Sequence, residues 1–408
     1  PVRAVIDRIG MAAQLTFPEG GGSLGAADLD FNFKWPSGVG VVVEAAGVAT
    51  GGGFLFHDDA QKLYAGVLEL SLSELFTLKA VGLITTQLPD GSPGFTLVIF
   101  ITAEDFQPIQ LGMGFTLNGI GGMLAINRTF DENALRDGMK SGILGSILFP
   151  RDPVANAPAI INALSVAFPA KRGAYLFGIL VKIGWFTPTL VAFDLALILE
   201  IGARRRLLVL GRVSALLPSA ENDLVRLNLE SVGVIDFDEG TVALDAVLVD
   251  SRLAHKFVLT GGMALRARWS DGPGSSFVLA VGGLNPRFAP PAGLPKLDRL
   301  AIALSSGDNP RITCEAYFAI TANTLQFGAR AELYAAAYGF SVEGDIGFDV
   351  LIQYRPLHFI ADFHAAALLK RGSTNLFQVT VNGTLEGPRP LRASGDASFE
   401  ICLCDFSV

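Results

Sequence analysis

From about residue 255 onward, apolar and polar residues take turns with a period of two, in one run after another. Phe327, Ala329, Ala331, Leu333 and Ala335 alternate with Gln326, Arg330, Glu332 and Tyr334. Val342, Ile346, Phe348, Val350 and Ile352 alternate with Ser341, Glu343, Asp345 and Asp349. Phe359, Ala361, Phe363, Ala365 and Ala367 share one parity, and Phe377, Val379, Val381 and Leu385 alternate with Gln378, Thr380, Asn382, Thr384 and Glu386. An earlier run puts Phe257, Leu259, Met263, Leu265 and Trp269 on one parity. Successive side chains of a strand point to opposite faces, so each run is a strand with one apolar and one polar side. A long series of such strands must cover its apolar side with something.

The runs are about 10–14 residues long, against a usual 5–6 for a strand. They follow one another with turns at Pro218 to Asp223, Ser270 to Ser275, Asn285 to Pro295, Ser305 to Pro310 and Gly387 to Pro390. This predicts a mainly β fold: a long antiparallel meander forming a strongly curved sheet, groove or wide barrel. One helical hairpin, over about 131–168, interrupts it. Asp131-Glu132-Asn133 supplies caps, Leu135, Met139, Ile143, Leu144 and Ile147 recur at spacings of three and four, and Pro150 stops the first helix. A second helix runs from Pro153 to Phe168, with Ile160, Ile161, Leu164 and Phe168 on one side. Residues 1–60, with Gly20-Gly21-Gly22, Gly38-Val39-Gly40 and Gly51-Gly52-Gly53, read as a Gly-rich β-hairpin segment, and 61–408 as one continuous antiparallel β domain. Within Phe95 to Ile101 both parities are apolar, which predicts a strand covered on both sides.

Composition removes several classes of function. Half of the 408 residues are hydrophobic and 17% are charged, yet no stretch approaches the roughly 20 apolar residues of a membrane helix. Leu190 to Ile201 is the longest candidate, and Asp194 and Glu200 break it. The chain therefore reads as soluble, without a transmembrane segment. A net charge of −8 gives no basic face for nucleic acid, and Arg204-Arg205-Arg206 reads as a solvated turn. Three cysteines make no disulfide framework, and Cys402 and Cys404 read as reduced surface thiols, which suits a cytoplasmic protein. The start at Pro1 and the stop just after a strand suggest a fragment of a larger protein.

The residues of catalysis are missing as patterns. His57, His255, His358 and His364 are too scattered for a metal pair, and no nucleophile elbow, phosphate loop or zinc-protease helix occurs. The run Gly112-Met-Gly-Phe-Thr-Leu-Asn-Gly-Ile-Gly-Gly122 lacks the third glycine of a dinucleotide loop and reads as a β-hairpin turning near Asn118-Gly119. Asp236, Asp238 and Glu239 read as a charged turn. The expectation is no enzyme, no cofactor and no metal.

Five phrases resemble an uncharacterised bacterial family, a domain of unknown function in very large strand-rich proteins. They are Leu111 to Gly122 continuing through Asn127-Arg128-Thr129, Ile147 to Pro153 continuing to Phe168-Pro169, Val281 to Pro291, Ala319 to Arg330, and Leu385 to Pro390. The resemblance spans roughly 60 to 408, and Leu391 stands where such proteins carry Trp. It implies one continuous fold and no particular activity.

The apolar parity mixes Phe and Leu with many Ala and Gly, and small residues on an enclosed face leave volume to be filled. This favours a non-catalytic β-groove or barrel module sheltering a lipid, acyl chain or other apolar ligand. The lining would be Phe327, Ala329, Ala331, Leu333, Phe348, Phe359, Ala361, Phe363, Ala365 and Phe377, with the helical hairpin plugging or lining the groove. The alternative is a structural scaffold or shell module with a packed interior, meeting protein neighbours through edge strands or flanking domains.

Overall fold

The computed structural model describes residues 2–7, 10–18, 28–34, 38–45, 49–58, 62–72, 75–88, 90–219, 223–269, 276–305, 307–401 and 404–407. It is mainly β, built of long antiparallel strands, and no described helix is long and apolar enough to cross a membrane. The chain divides into two compact units.

The first unit comprises Pro1–Ala134, Gly145–Ile183 and Asp194–Arg205. Its strands begin with β1 (Val2–Asp7), β2 (Gly10–Thr16), β3 (Asp28–Lys34), β4 (Gly38–Ala45) and β5 (Ala49–Asp58). They continue with β6 (Leu63–Leu72), β7 (Phe76–Gln87), β8 (Pro93–Gly112) and β9 (Phe115–Arg128). β1 pairs with β4, then β4 to β9 pair in chain order, while β2 and β3 form a hairpin of their own. After the helices α1 (Glu132–Met139), α2 (Ile143–Leu148) and α3 (Ala157–Ala167) come β10 (Ala170–Trp185), which lies beside β9, and β11 (Val191–Ile201).

The expected first helix is thus two short ones. Its chain bends at Lys140–Gly142, where Gly142 takes φ +72°, a conformation open to glycine. Asp131 caps the start by accepting the amides of Asn133 and Ala134. The second helix begins four residues later than expected, at Ala157, with Pro158 in its first turn, where no amide donor is required.

α3 packs on β6 and β7. Its Ile160, Leu164 and the following Phe168 are fully buried, together with Leu83 of β7 and Val98 and Phe100 of β8. The Phe100 and Phe168 rings lie 5.6 Å apart in a tilted contact. Thr96, Val98, Phe100, Thr102 and Glu104 are the covered parity of β8. The other parity is not covered as expected: Phe95 and Ile101 are half-exposed. Two apolar parities require two apolar environments, and only one of them is supplied by the helices.

Two buried cations, Lys79 and Arg128, hold this cover to the sheet. Lys79 Nζ donates to Glu104 Oε1 at 2.5 Å and to the Pro150 carbonyl at 2.8 Å, and Lys182 Nζ donates to Glu104 Oε2 at 2.8 Å. Burial pushes the Glu104 carboxyl up, but the hydrogen bonds from Lys182 and Lys79 outweigh it and leave Glu104 below the usual range. Arg128 donates to the Phe168 carbonyl at 2.7 Å and to Thr96 Oγ1 at 3.1 Å, and burial lowers it to about 10.

The Gly112–Gly122 run is a hairpin, as expected, but it turns at Met113-Gly114 rather than Asn118-Gly119. Met113 (φ +52°) and Gly114 (φ +81°) supply the two positive-φ positions of the turn. Gly119 is extended strand; a Cβ there would meet the Lys182 Cβ at 3.0 Å and the Phe149 ring at 3.2 Å. Its smallness is thus used for close packing rather than for turning.

The second unit comprises Leu135–Leu144, Gly184–Phe193 and Arg206–Val408. Its strands start with β12 (Arg206–Pro218), β13 (Asp223–Asp236), β14 (Thr241–Leu248), β15 (Ser251–Leu253) and β16 (Phe257–Thr260). Next come β17 (Gly262–Arg268), β18 (Ser276–Val281), β19 (Leu300–Ala303), β20 (Arg311–Thr321) and β21 (Thr324–Ala337). The last five are β22 (Phe340–Gln353), β23 (His358–Arg371), β24 (Thr374–Gly387), β25 (Arg392–Ile401) and β26 (Cys404–Ser407). β14 and β15 both pair with β13, and β18 and β19 both pair with β20, so each couple is one long strand split in two. From β20 to β26 the strands are a simple antiparallel meander.

The split between β18 and β19 is filled by an excursion, residues 282–299, longer than the expected turn over Asn285 to Pro295. Pro286, Pro290, Pro291 and Pro295 keep it out of the ladder. Its two ends are tied to Gly262, whose amide donates to the Asp298 carbonyl and whose carbonyl accepts the Gly282 amide. In β17 the fully buried side chain is Ala264, on the parity opposite Met263 and Leu265. Cys402, the Cys404 side chain and the turn at 270–275 lie outside the described residues, whereas Cys314 is a free, half-buried thiol.

Candidate functional site

The ten residues expected to line a ligand site all lie in this meander. Phe327, Ala329, Ala331 and Leu333 are on β21, Phe348 on β22, Phe359, Ala361, Phe363 and Ala365 on β23, and Phe377 on β24. Strand register brings them onto one face in cross-strand rows. Ala331 stands opposite Ile346, which stands opposite Ala365, which stands opposite Val381. Ala329, Phe348 and Phe363 form a second row, Phe327, Val350, Ala361 and Leu385 a third, and Leu333, Gly344, Ala367 and Val379 a fourth.

Large and small residues in these rows leave a depression. A hollow of about 390 Å3 is lined on this face by Ala331, Ala365, Ala367 and Gly344, with Leu333, Ile346, Val379 and Val381 rising around it. None of the helical residues belongs to its lining. Ile346 at its edge is 52% exposed, and Phe348, Phe363 and Phe377 are also exposed. These side chains form one run of exposed apolar surface across β21 to β24.

The opposite face of the same strands is where the cover lies. The 282–299 excursion runs over it, and its groups are tied to the sheet one by one. The Asn285 amide donates to Gln326 Oε1, which is fully buried, at 2.9 Å. Arg287 forms a bidentate pair with Asp362, whose Oδ1 also accepts the Thr384 hydroxyl at 2.7 Å. Burial pushes the Asp362 carboxyl up, but these donors outweigh it and hold it below the usual carboxylate range. The Arg299 guanidinium lies 4.1 Å from the centre of the Tyr317 ring, and the Tyr317 hydroxyl donates to Asp349 Oδ1 at 2.7 Å. Burial, with that hydrogen bond, raises the Tyr317 phenol well above its ordinary value.

Next to this cover a second hollow of about 370 Å3 is lined by Tyr317, Arg330, Asp349, Asp362 and His364, among others. A chain of polar contacts crosses it. Arg330 reaches Asp345, His364 Nε2 meets Asp345 Oδ1 at 2.6 Å, and His364 Nδ1 meets Asn382 Oδ1 at 2.6 Å. Asn382 Nδ2 donates in turn to Asp396 Oδ2 at 2.8 Å. Each ion in this chain is matched by an opposite charge or an amide, which makes it a structural network. Among the described residues no group of three or more His, Cys, Asp or Glu could hold a metal ion.

Sequence reasoning located the apolar face but missed the polar one. Arg287 and Asp362 are 75 residues apart, and nothing local marks either as a partner. A readable signal was the run of prolines in 286–295, too many for one turn. A profile of a family of unknown function, DUF6603, matches residues 1–408. No curated protein and no solved structure matches the chain.

Proposed function

The chain belongs to the DUF6603 family of unknown function, and we propose that it is a non-catalytic module that holds an acyl chain on the apolar face of β20–β24. The observation that carries this reading is the hollow over Ala331 and Ala365, with its rim of exposed Ile346, Leu333 and Val381. Polar parity is engaged by the 282–299 excursion and by its own ion pairs, so it offers little apolar surface. The other parity offers a continuous one. An acyl chain lying across these rows would remove that surface from water, at roughly 25 cal/mol for each Å2 buried.

Specificity in such a site comes from shape. Alanines at 331, 365 and 367 keep the floor low, and larger side chains there would occupy the space meant for hydrocarbon. Native mass spectrometry of the purified protein, with solvent extraction of anything bound, tests the reading. The expected result is co-purified lipid that is lost from an Ala331→Leu/Ala365→Leu double variant of unchanged stability. A lipid-free native protein that takes up no added fatty acid overturns it.

A further inference from the structure

We propose that one end of this meander, formed by the turns 354–357 and 388–391, docks on an anionic lipid bilayer. The proposal rests on the acyl-chain reading above and names where the chain comes from or goes to. β22, β23, β24 and β25 are consecutive neighbours, so their two turns emerge side by side at the same end of the sheet. Arg355 and Arg389 sit in these turns and Arg392 starts β25, all three exposed. None of the three forms an ion pair among the described residues. One acid, Glu386, stands cross-strand from Arg392 and meets His358 Nε2 at 3.0 Å, so the cations of this edge outnumber its carboxylate. In a chain of net charge −8, three unmatched guanidinium groups at one edge are a local positive field aimed outward.

Apolar side chains are interleaved with these charges. Leu357 is 60% exposed and Leu391 65% exposed, and Tyr354, in the same turn as Leu357, is exposed too. Cations with exposed leucines and a tyrosine are the combination that suits the headgroup level, where charge meets phosphate and the apolar tips enter the acyl boundary. Leu391 also continues into the candidate site. Leu391 and the Phe359 ring converge over Gly387, where a Cβ would meet them at 3.0 and 2.8 Å. From Phe359 the apolar parity of β23 runs through Ala361 and Phe363 to Ala365 at the hollow, about 20 Å along the strand. One end of the apolar face thus opens at the arginine edge.

The charge complementarity selects an anionic surface, and the leucines select a bilayer over a soluble polyanion. Co-sedimentation of the full chain with vesicles tests this. The protein is expected to sediment with phosphatidylcholine vesicles that contain phosphatidylglycerol and not with phosphatidylcholine alone, and added salt is expected to release it. An Arg355→Gln/Arg389→Gln/Arg392→Gln variant is expected to bind about 100-fold more weakly. A Leu357→Ser/Leu391→Ser variant, with every charge kept, is expected to bind more weakly as well. No sedimentation with anionic vesicles overturns the proposal, as does full binding by the arginine variant. So does a polynucleotide or an acidic peptide competing fully with the vesicles while the leucine variant binds as before. The Ala331→Leu/Ala365→Leu variant separates the two readings: it is expected to lose lipid and still sediment, whereas the arginine variant is expected to keep its lipid.

Discussion

The guanidinium of Arg287 grips both carboxylate oxygens of Asp362, with Nε 2.6 Å from Oδ2 and Nη2 2.7 Å from Oδ1. This fork joins the 282–299 excursion to β23, and so fixes which face of the meander is covered. Arg287→Ala is expected to cost about 1 kcal/mol or less in global stability, because both partners are partly exposed and screened by water. Its main effect is expected to be local. Amide hydrogen exchange should quicken across 285–299 and leave β23 itself protected, and Arg287→Lys should not restore it, since an ammonium cannot form the fork. Unchanged exchange in the excursion would contradict the assigned role.

Tyr317 reaches Asp349 by lying across Gly328. A Cβ on Gly328 would stand 2.5 Å from the Tyr317 ring, 2.6 Å from the Phe348 carbonyl oxygen and 2.8 Å from Asp349 Oδ1. The carbonyl belongs to the ladder and cannot yield. Gly328→Ala is therefore expected to destabilise the protein by about 1–3 kcal/mol in urea denaturation. Tyr317→Phe keeps the packing and strands the Asp349 acceptor, for a smaller expected loss of about 1 kcal/mol.

Glu230 gives the protein a pH dependence. It is buried opposite Arg212 in the β12–β13 pair, and its Oε2 has no hydrogen-bond partner. Burial raises its carboxyl to about 7, opposed in part by Arg212. A carboxyl whose folded pKa is raised stabilises the fold while it is protonated, below its unfolded value of 4.5. That contribution is lost as pH rises through about 7. Urea midpoints of the wild type are thus expected to fall between pH about 5 and about 8 by more than those of Glu230→Gln. The variant should gain on the order of 2 kcal/mol over the wild type across that window. Parallel pH profiles for the two proteins would count against a buried carboxyl that titrates near neutrality.

The alternation of residues 324–387 could be read directly into strands, and the register confirms which residues share a face. That works because a period of two is fixed by the strand backbone itself. It does not say which face is covered. Asp245 and Arg266, a polar pair at 2.8 Å, lie on the covered parity of β14 and β17, while Met263 and Leu265 lie on the other. Cover is decided by the excursion and by α1, whose Arg136 also reaches Asp245 at 2.6 Å. Those contacts join residues far apart in sequence. The Met113-Gly114 turn is hidden in the sequence for a different reason. Asn118-Gly119 is the better turn dipeptide by composition, but Gly119 is needed where the Lys182 Cβ and the Phe149 ring pass close. Glycine serves turning and close approach alike, and local sequence does not separate the two uses.

Phe168 anchors the end of α3 in the core of the first unit. It is fully buried, meets the Phe100 ring in a tilted contact and receives Arg128 on its carbonyl. Phe168→Ala is expected to cost about 3–5 kcal/mol, as a large cavity between α3 and the sheet. A loss below about 1 kcal/mol would mean that α3 contributes little to the core.

The proposed site places hydrocarbon on the apolar face of β20–β24. Photo-crosslinking with a diazirine-bearing fatty acid, followed by peptide mapping, reads out where that hydrocarbon sits. Adducts are expected on Ile346, Val381, Leu333 and their neighbours around the hollow, competed away by unlabelled fatty acid and absent from Ala331→Leu/Ala365→Leu. Adducts concentrated on the polar face near Tyr317 and His364, or adducts that persist in the double variant, would contradict it.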